Sequence, residues 1–231
     1  MFRQPQSAGN KFQTAWARLE GSQPQPQFIR AVRIQPYNDF AAAVMEGEPG
    51  FVEEITSSLY AGDAYVLRNA YGQITLRDLT QRLHEFSQSQ TSSFHKMLDG
   101  VPDFHRIIDS QNTIKYSVTA IRRGYYFFRW NRDPIGAFKL FRNSWQISKV
   151  LSGLEPNMFE NNVPSDGIID RLMFYHYPKG GGQLMNHVDP TNNQKIIITV
   201  MMGERGIDFQ TGGFFCTVPD GGKVDLEDDL R

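Results

Sequence analysis

His187 and Asp189 stand two residues apart near the end of the run Arg171–Asp189, RLMFYHYPKGGGQLMNHVD. On an extended backbone, residues i and i+2 project to one face. This spacing would therefore set an imidazole and a carboxylate side by side. A neutral imidazole and an ionised carboxylate, with further positions open, suit non-haem Fe(II) when a second histidine joins from elsewhere. The same triplet also arises by chance in polar loops, and so short a motif does not separate the two readings by itself.

The flanking residues must position the pair. Arg171, Met173, Tyr175 and Tyr177 alternate with Leu172, Phe174 and His176. That period of two, rich in aromatics, predicts a strand. Pro178, Lys179 and Gly180–Gly182 mark a tight turn. After a polar cluster at Pro190–Asn193, the β-branched run Lys195–Met202, KIIITVMM, predicts a buried strand. Thr211-Gly212-Gly213 then reads as a turn before the apolar run Phe214–Val218. The whole reads as strand, His-x-Asp, turn, strand, Gly-Gly turn, strand, an all-β barrel order.

On these residues the chain resembles the Fe(II)/2-oxoglutarate-dependent dioxygenases. The run Tyr177-Pro-Lys-Gly-Gly-Gly-Gln-Leu-Met-Asn-His187-Val-Asp189 is similar to the Tyr…Gly…His-x-Asp segment of their prolyl-hydroxylase-like branch. Gly212-Gly213 falls where that family has a Gly-Gly turn. The resemblance covers residues 168–231. It implies a mostly β chain with flanking helices, built on a double-stranded β-helix (jelly-roll or cupin-like) core that is incomplete at the C-terminus. It implies Fe(II) held by His187 and Asp189, with 2-oxoglutarate as cosubstrate and O2 as oxidant. An unactivated C–H bond of a small molecule would be hydroxylated, with succinate and CO2 as coproducts. Asp189 stands where the related halogenases carry a small residue, so hydroxylation is the implied outcome. Tyr177 matches the family's cosubstrate-contacting tyrosine. Thr199 and Lys195 are further candidates for cosubstrate binding, Lys195 through the distal carboxylate or else as a solvated lysine at a strand edge.

One departure from the family is plain. Its second histidine and its 2-oxoglutarate-binding arginine follow the His-x-Asp, whereas here no histidine follows His187. The expectation is that these 231 residues belong to a longer chain. Its continuation would carry a Gly-Asp turn, a histidine, then an arginine or lysine. Otherwise the third ligand must come from His84, His95, His105 or His176. Two function classes stay open: an oxygenase, or a non-catalytic binding module on the same kind of barrel.

Residues 1–27, rich in Gln, Pro, Ser and Gly, predict a flexible arm before a domain over 28–231. Within that domain helical support extends to about residue 110 and the β core follows. Phe28–Ile34 and Ala64–Asn69 read as strands. Asn38 or Asp39 starts a helix that ends near Gly47, and Phe51, Ile55 and Leu59 keep helical spacing. Leu76, Leu79, Leu83 and Phe86 make the apolar stripe of a helix over 75–88. Asp133-Pro134 opens another over 134–152, stopped by Gly153 and Pro156.

Tyr116–Trp130, YSVTAIRRGYYFFRW, reads as a long strand interrupted at Gly124 by a bulge or bend. Its arginines (Arg122, Arg123, with Arg129 and Arg132) interleave with aromatics. That pattern fits base stacking with phosphate contacts, a barrel strand with aromatics inward and arginines outward or lining the pocket, or an arginine that grips a substrate carboxylate. The formal net charge of −1 weighs against a broad nucleic-acid or anionic-membrane footprint. A single cysteine, Cys216, excludes an intrachain disulfide. No apolar run resembles a signal peptide or is long enough to span a bilayer, so a cytoplasmic protein is expected. No serine stands in a hydrolase elbow. Substrate identity and oligomeric state are left open.

Overall fold

A computed structural model describes residues 10–20, 26–93, 103–116, 118–189 and 195–227. In chain order the elements are α1 (Lys11–Glu20), β1 (Ala31–Pro36), α2 (Tyr37–Glu46), α3 (Pro49–Tyr60), β2 (Asp63–Arg68), α4 (Gln73–Ser89), β3 (Phe104–Ile108), β4 (Ala120–Phe128), α5 (Ala137–Leu151), β5 (Arg171–His176), β6 (Gln183–Leu184), β7 (Phe215–Thr217) and β8 (Lys223–Asp225). Helix (36%) outweighs strand (21%), which corrects the expectation of a mostly β chain to a mixed one. The strands form small sheets, with no closed barrel among the described residues. The elements divide into two compact units. Among the described residues, one comprises 77–142 and 157–187; the other comprises 10–76, 143–156 and 188–227.

The second of these units is built around a helical core. Phe40 and Val44 of α2, Val52 and Ile55 of α3, and Ile147 and Leu151 of α5 are buried together. Each large apolar side chain so buried contributes roughly 1.5–3 kcal/mol. Phe12, Ala15 and Trp16 of α1 join them, and the Trp16 indole N–H donates to the Leu151 carbonyl at 2.7 Å. The arm expected over 1–27 thus contains a docked helix at 11–20. Its polar composition hides a short i, i+3, i+4 apolar stripe. Residues 1–9 and 21–25 of that arm lie outside the described residues. β1 and β2 pair in parallel, Ala31 opposite Asp63 through Pro36 opposite Arg68, with α2 and α3 as the crossover. Gly47 ends α2 at φ 62°, its N–H donating to the Ala43 carbonyl at 3.0 Å.

The first unit carries the largest sheet, in the order β3-β4-β5 and antiparallel throughout. β6 also pairs antiparallel with β4, at Ala120 and Ile121. One face is covered by aromatic packing. Phe127 meets Phe86 of α4 at 5.5 Å and Phe174 at 5.7 Å between ring centroids, and Phe141 of α5 meets Phe174 at 6.0 Å. Leu79 and Leu83 of α4 are buried, as their stripe predicts. Asp133 caps the start of α5, accepting from the Ala137 and Phe138 N–H groups at 2.9 and 2.8 Å.

Two strand expectations differ from the structure. Gly124 does not interrupt β4: it pairs with Arg106 on one side and Tyr175 on the other. A Cβ there would lie 2.9 Å from Cε2 of Tyr126, so the missing side chain makes room for that ring. The run 195–202 forms no strand, and Ile197 is 54% exposed. β-branched composition favours a strand only when an edge is there to pair with, and none among the described strands pairs with this run.

Candidate functional site

The strand and turn that approach His187 fold much as their residues dictate. β5 pairs with β4 over 123–128, the chain then leaves the sheet through Tyr177–Gly182, and β6 resumes pairing with β4. The turn closes through Gly182 N–H to the Pro178 carbonyl at 2.9 Å. A Cβ at Gly182 would fall 2.6 Å from the Pro178 backbone, which is why glycine is needed there. Met185 N–H still bonds to the Thr119 carbonyl at 3.0 Å, after which the backbone is no longer in a strand. The side-by-side projection expected of His187 and Asp189 from an extended strand therefore lacks the strand itself.

His187 ends the first unit and Asp189 lies just inside the second. Both side chains are exposed. His187 Nδ1 lies 2.8 Å from the Met185 carbonyl oxygen. A carbonyl only accepts, so Nδ1 carries the proton and the lone pair of the neutral ring is on Nε2. Among the described residues no three of His, Cys, Asp and Glu are grouped to hold a metal ion. His84 is exposed on α4, His176 ends β5, and His105 is buried in β3. His105 stacks on Tyr125 at 4.5 Å between centroids, and burial pushes its pKa down. His95 lies outside the described residues.

The candidate cosubstrate residues are dispersed along the chain. Tyr177 follows β5 and is 43% exposed. Lys195 forms an ion pair with Glu20, and Thr199 is exposed in the irregular run. Tyr175, in β5, is half-buried, and burial above all raises its hydroxyl pKa to about 12.

Sequence reasoning did not bring together the residues on the other face of this sheet. By the pairing register, Arg106, Arg122, Tyr126, Arg171, Met173 and Tyr175 share it. The Arg122 guanidinium carbon lies 3.9 Å from the Tyr175 ring centroid. Those of Arg106 and Arg171 lie 5.7 and 5.5 Å from the Tyr126 centroid. Aromatics and arginines thus share each face of β4, so the arginines are not all sorted outward. The signal was present as i, i+2 spacing in three separate segments, but only the register shows that the segments align.

No protein-family model, curated protein or solved structure matches this chain. No helix among the described residues is long and apolar enough to cross a membrane.

Proposed function

We propose that the chain is an Fe(II)- and 2-oxoglutarate-dependent oxygenase acting on an unactivated C–H bond of a small molecule, with His187 and Asp189 as two of the metal ligands. The observation that carries this reading is the hydrogen bond from His187 Nδ1 to the Met185 carbonyl. It selects the tautomer with its lone pair on Nε2 and orients the ring through the backbone, as metal-ligating histidines are oriented. The exposed Asp189 carboxylate supplies an anionic oxygen donor two residues on. This donor pair fits Fe(II).

Iron in this site supplies the oxygen chemistry, while the protein binds, orients and excludes water. In this reading the Tyr177 hydroxyl and the Thr199 hydroxyl are donors to 2-oxoglutarate, and Lys195 exchanges Glu20 for the distal carboxylate. The antiparallel order of every named strand pair from β3 onward supports assigning these strands to a double-stranded β-helix.

The test is succinate formation from 2-oxoglutarate. The product of the whole gene is loaded with Fe(II) without oxygen, then exposed to oxygen with candidate substrates. Iron-dependent succinate that His187→Ala abolishes is the expected result. Tight binding of a small molecule with no succinate above the iron-free background would replace this reading with a non-catalytic binding module.

A further inference from the structure

We propose that the sheet face bearing Arg106, Arg122, Arg171, Tyr126 and Tyr175 binds the carboxylate of the organic substrate, with Arg122 as the principal contact. The word substrate rests on the oxygenase reading above; the binding itself does not.

Arg122 lies on β4, the middle strand of the β3-β4-β5 sheet. Its guanidinium sits over the Tyr175 ring at 3.9 Å. Contact through the face of a guanidinium satisfies its charge only in part and leaves the in-plane N–H groups pointing sideways. Those groups form the planar fork that matches a carboxylate with two parallel hydrogen bonds. Among the described residues no carboxylate lies within ion-pair distance of Arg122. Its Nε is buried with no hydrogen-bond partner there.

The surroundings set the sign and shape of the ligand. Arg106 and Arg171 lie over Tyr126, at 5.7 and 5.5 Å, so three cations share one face. Gly124 keeps the middle of that face low, because the Tyr126 ring lies across it. Met173, 45% exposed, lies opposite Tyr126 on the same face and offers apolar surface beside the charge. An anionic head with an apolar or planar body fits this arrangement. A nucleic acid fits it less well: Tyr126 is 7% and Phe128 is 1% exposed, so neither offers an open ring for a base to stack on.

The test uses the full chain without iron, which separates its failure from failure of the oxygenase reading. Benzoate serves as the probe, followed by calorimetry and by shifts of the tyrosine ring resonances. Saturable benzoate binding, absent with neutral benzyl alcohol, is expected. Arg122→Gln should weaken it about tenfold or more, the cost of a charge-assisted hydrogen bond. Arg123→Gln removes the same charge one residue along, on the opposite face, and should leave affinity within twofold. Arg122→Lys keeps the charge without the planar fork and should fall between. Thermal melts establish that each variant is folded. No saturable binding, equal binding of the neutral analogue, or equal loss in the Arg122 and Arg123 variants would overturn the proposal. 2-Oxoglutarate offers the same chemistry from the other source: tighter Arg122-dependent binding of it than of benzoate would assign the face to the cosubstrate. Tighter binding of a short oligothymidylate would assign it to nucleic acid.

Discussion

Arg30 grips Asp63 with two hydrogen bonds, Nε to Oδ1 at 2.7 Å and Nη2 to Oδ2 at 2.8 Å. Arg33 and the Ser58 hydroxyl add bonds to Oδ2 at 3.1 and 2.6 Å. The Asp63 side chain is fully buried, whereas those of Arg30 and Arg33 are 53% and 56% exposed. This asymmetry decides what breaking the cluster would cost. The arginines can rehydrate, so Asp63→Asn should cost about 1–3 kcal/mol, short of the penalty for splitting a fully buried pair. Urea unfolding at neutral pH measures it.

The same cluster sets an acid limit. The Arg30 hydrogen bonds, above all, hold the Asp63 carboxyl well below the usual carboxylate range. Its folded pKa lies below its unfolded one, so the contribution is fully present above about pH 4. It is lost as pH falls further, through the folded pKa. Below pH 4, Asp63→Asn should therefore lose stability less steeply than the parent chain. Parallel slopes would show that the cluster is not the source.

His105 should act in a separate window. Burial depresses its pKa, so the unfolded chain takes up a proton that the folded one does not. Stability should fall as pH drops below about 6.5, by at most about 1.4 kcal/mol per pH unit for one proton. His105→Phe keeps a ring against Tyr125 and removes the titration. The difference in melting temperature between the two proteins should open between pH 6.5 and 5 and be small above 7.

Gly124 is predicted to be intolerant of a side chain. Gly124→Ala sets a methyl against the Tyr126 ring and should cost about 1–3 kcal/mol, as overpacking does. Gly124→Ala combined with Tyr126→Leu should lose less than the sum of the single changes, because the second removes the ring that the first strikes. Strict additivity would locate the strain elsewhere.

For the metal pair, His187→Ala and Asp189→Ala should each weaken Fe(II) binding by well over the 10–100-fold typical of losing a supporting residue. Fluorescence or calorimetric titration without oxygen reads this directly. Unchanged affinity in both variants would sink the His-x-Asp assignment.

Legibility in the sequence followed the range of the interactions. α4 could be read from its apolar stripe and α5 from its Asp133-Pro134 start, because helical spacing and capping are local. β5 showed its alternation, and Phe174 is buried as that alternation requires. α1 was hidden by the Gln- and Pro-rich composition around it, although Phe12, Ala15 and Trp16 dock it. Gly124 looked like a break because the ring that fills its space comes from two residues along, by a fold-back that spacing does not report. The Arg122–Tyr175 contact joins residues far apart in the chain and became visible only once the register aligned their strands.

The excursion at Tyr177–Gly182 separates two things that a strand usually fuses. β5 and β6 each take their alignment from β4, not from one another, so the residues between them carry no information about which side chain faces which way. A Cβ built on Gly180 or Gly181 meets nothing within 4 Å, while Gly182 is hemmed in by the Pro178 backbone. The turn is thus anchored at one end and has slack at its crown. Length added at the crown would be absorbed as a larger loop. The same insertion within β5 would turn every following side chain of the strand to the opposite face. An engineer could therefore graft a peptide at the crown, between Gly180 and Gly181, while Tyr177 and Gly182 stay in place and the sheet that carries Arg122 and Tyr175 keeps its alignment.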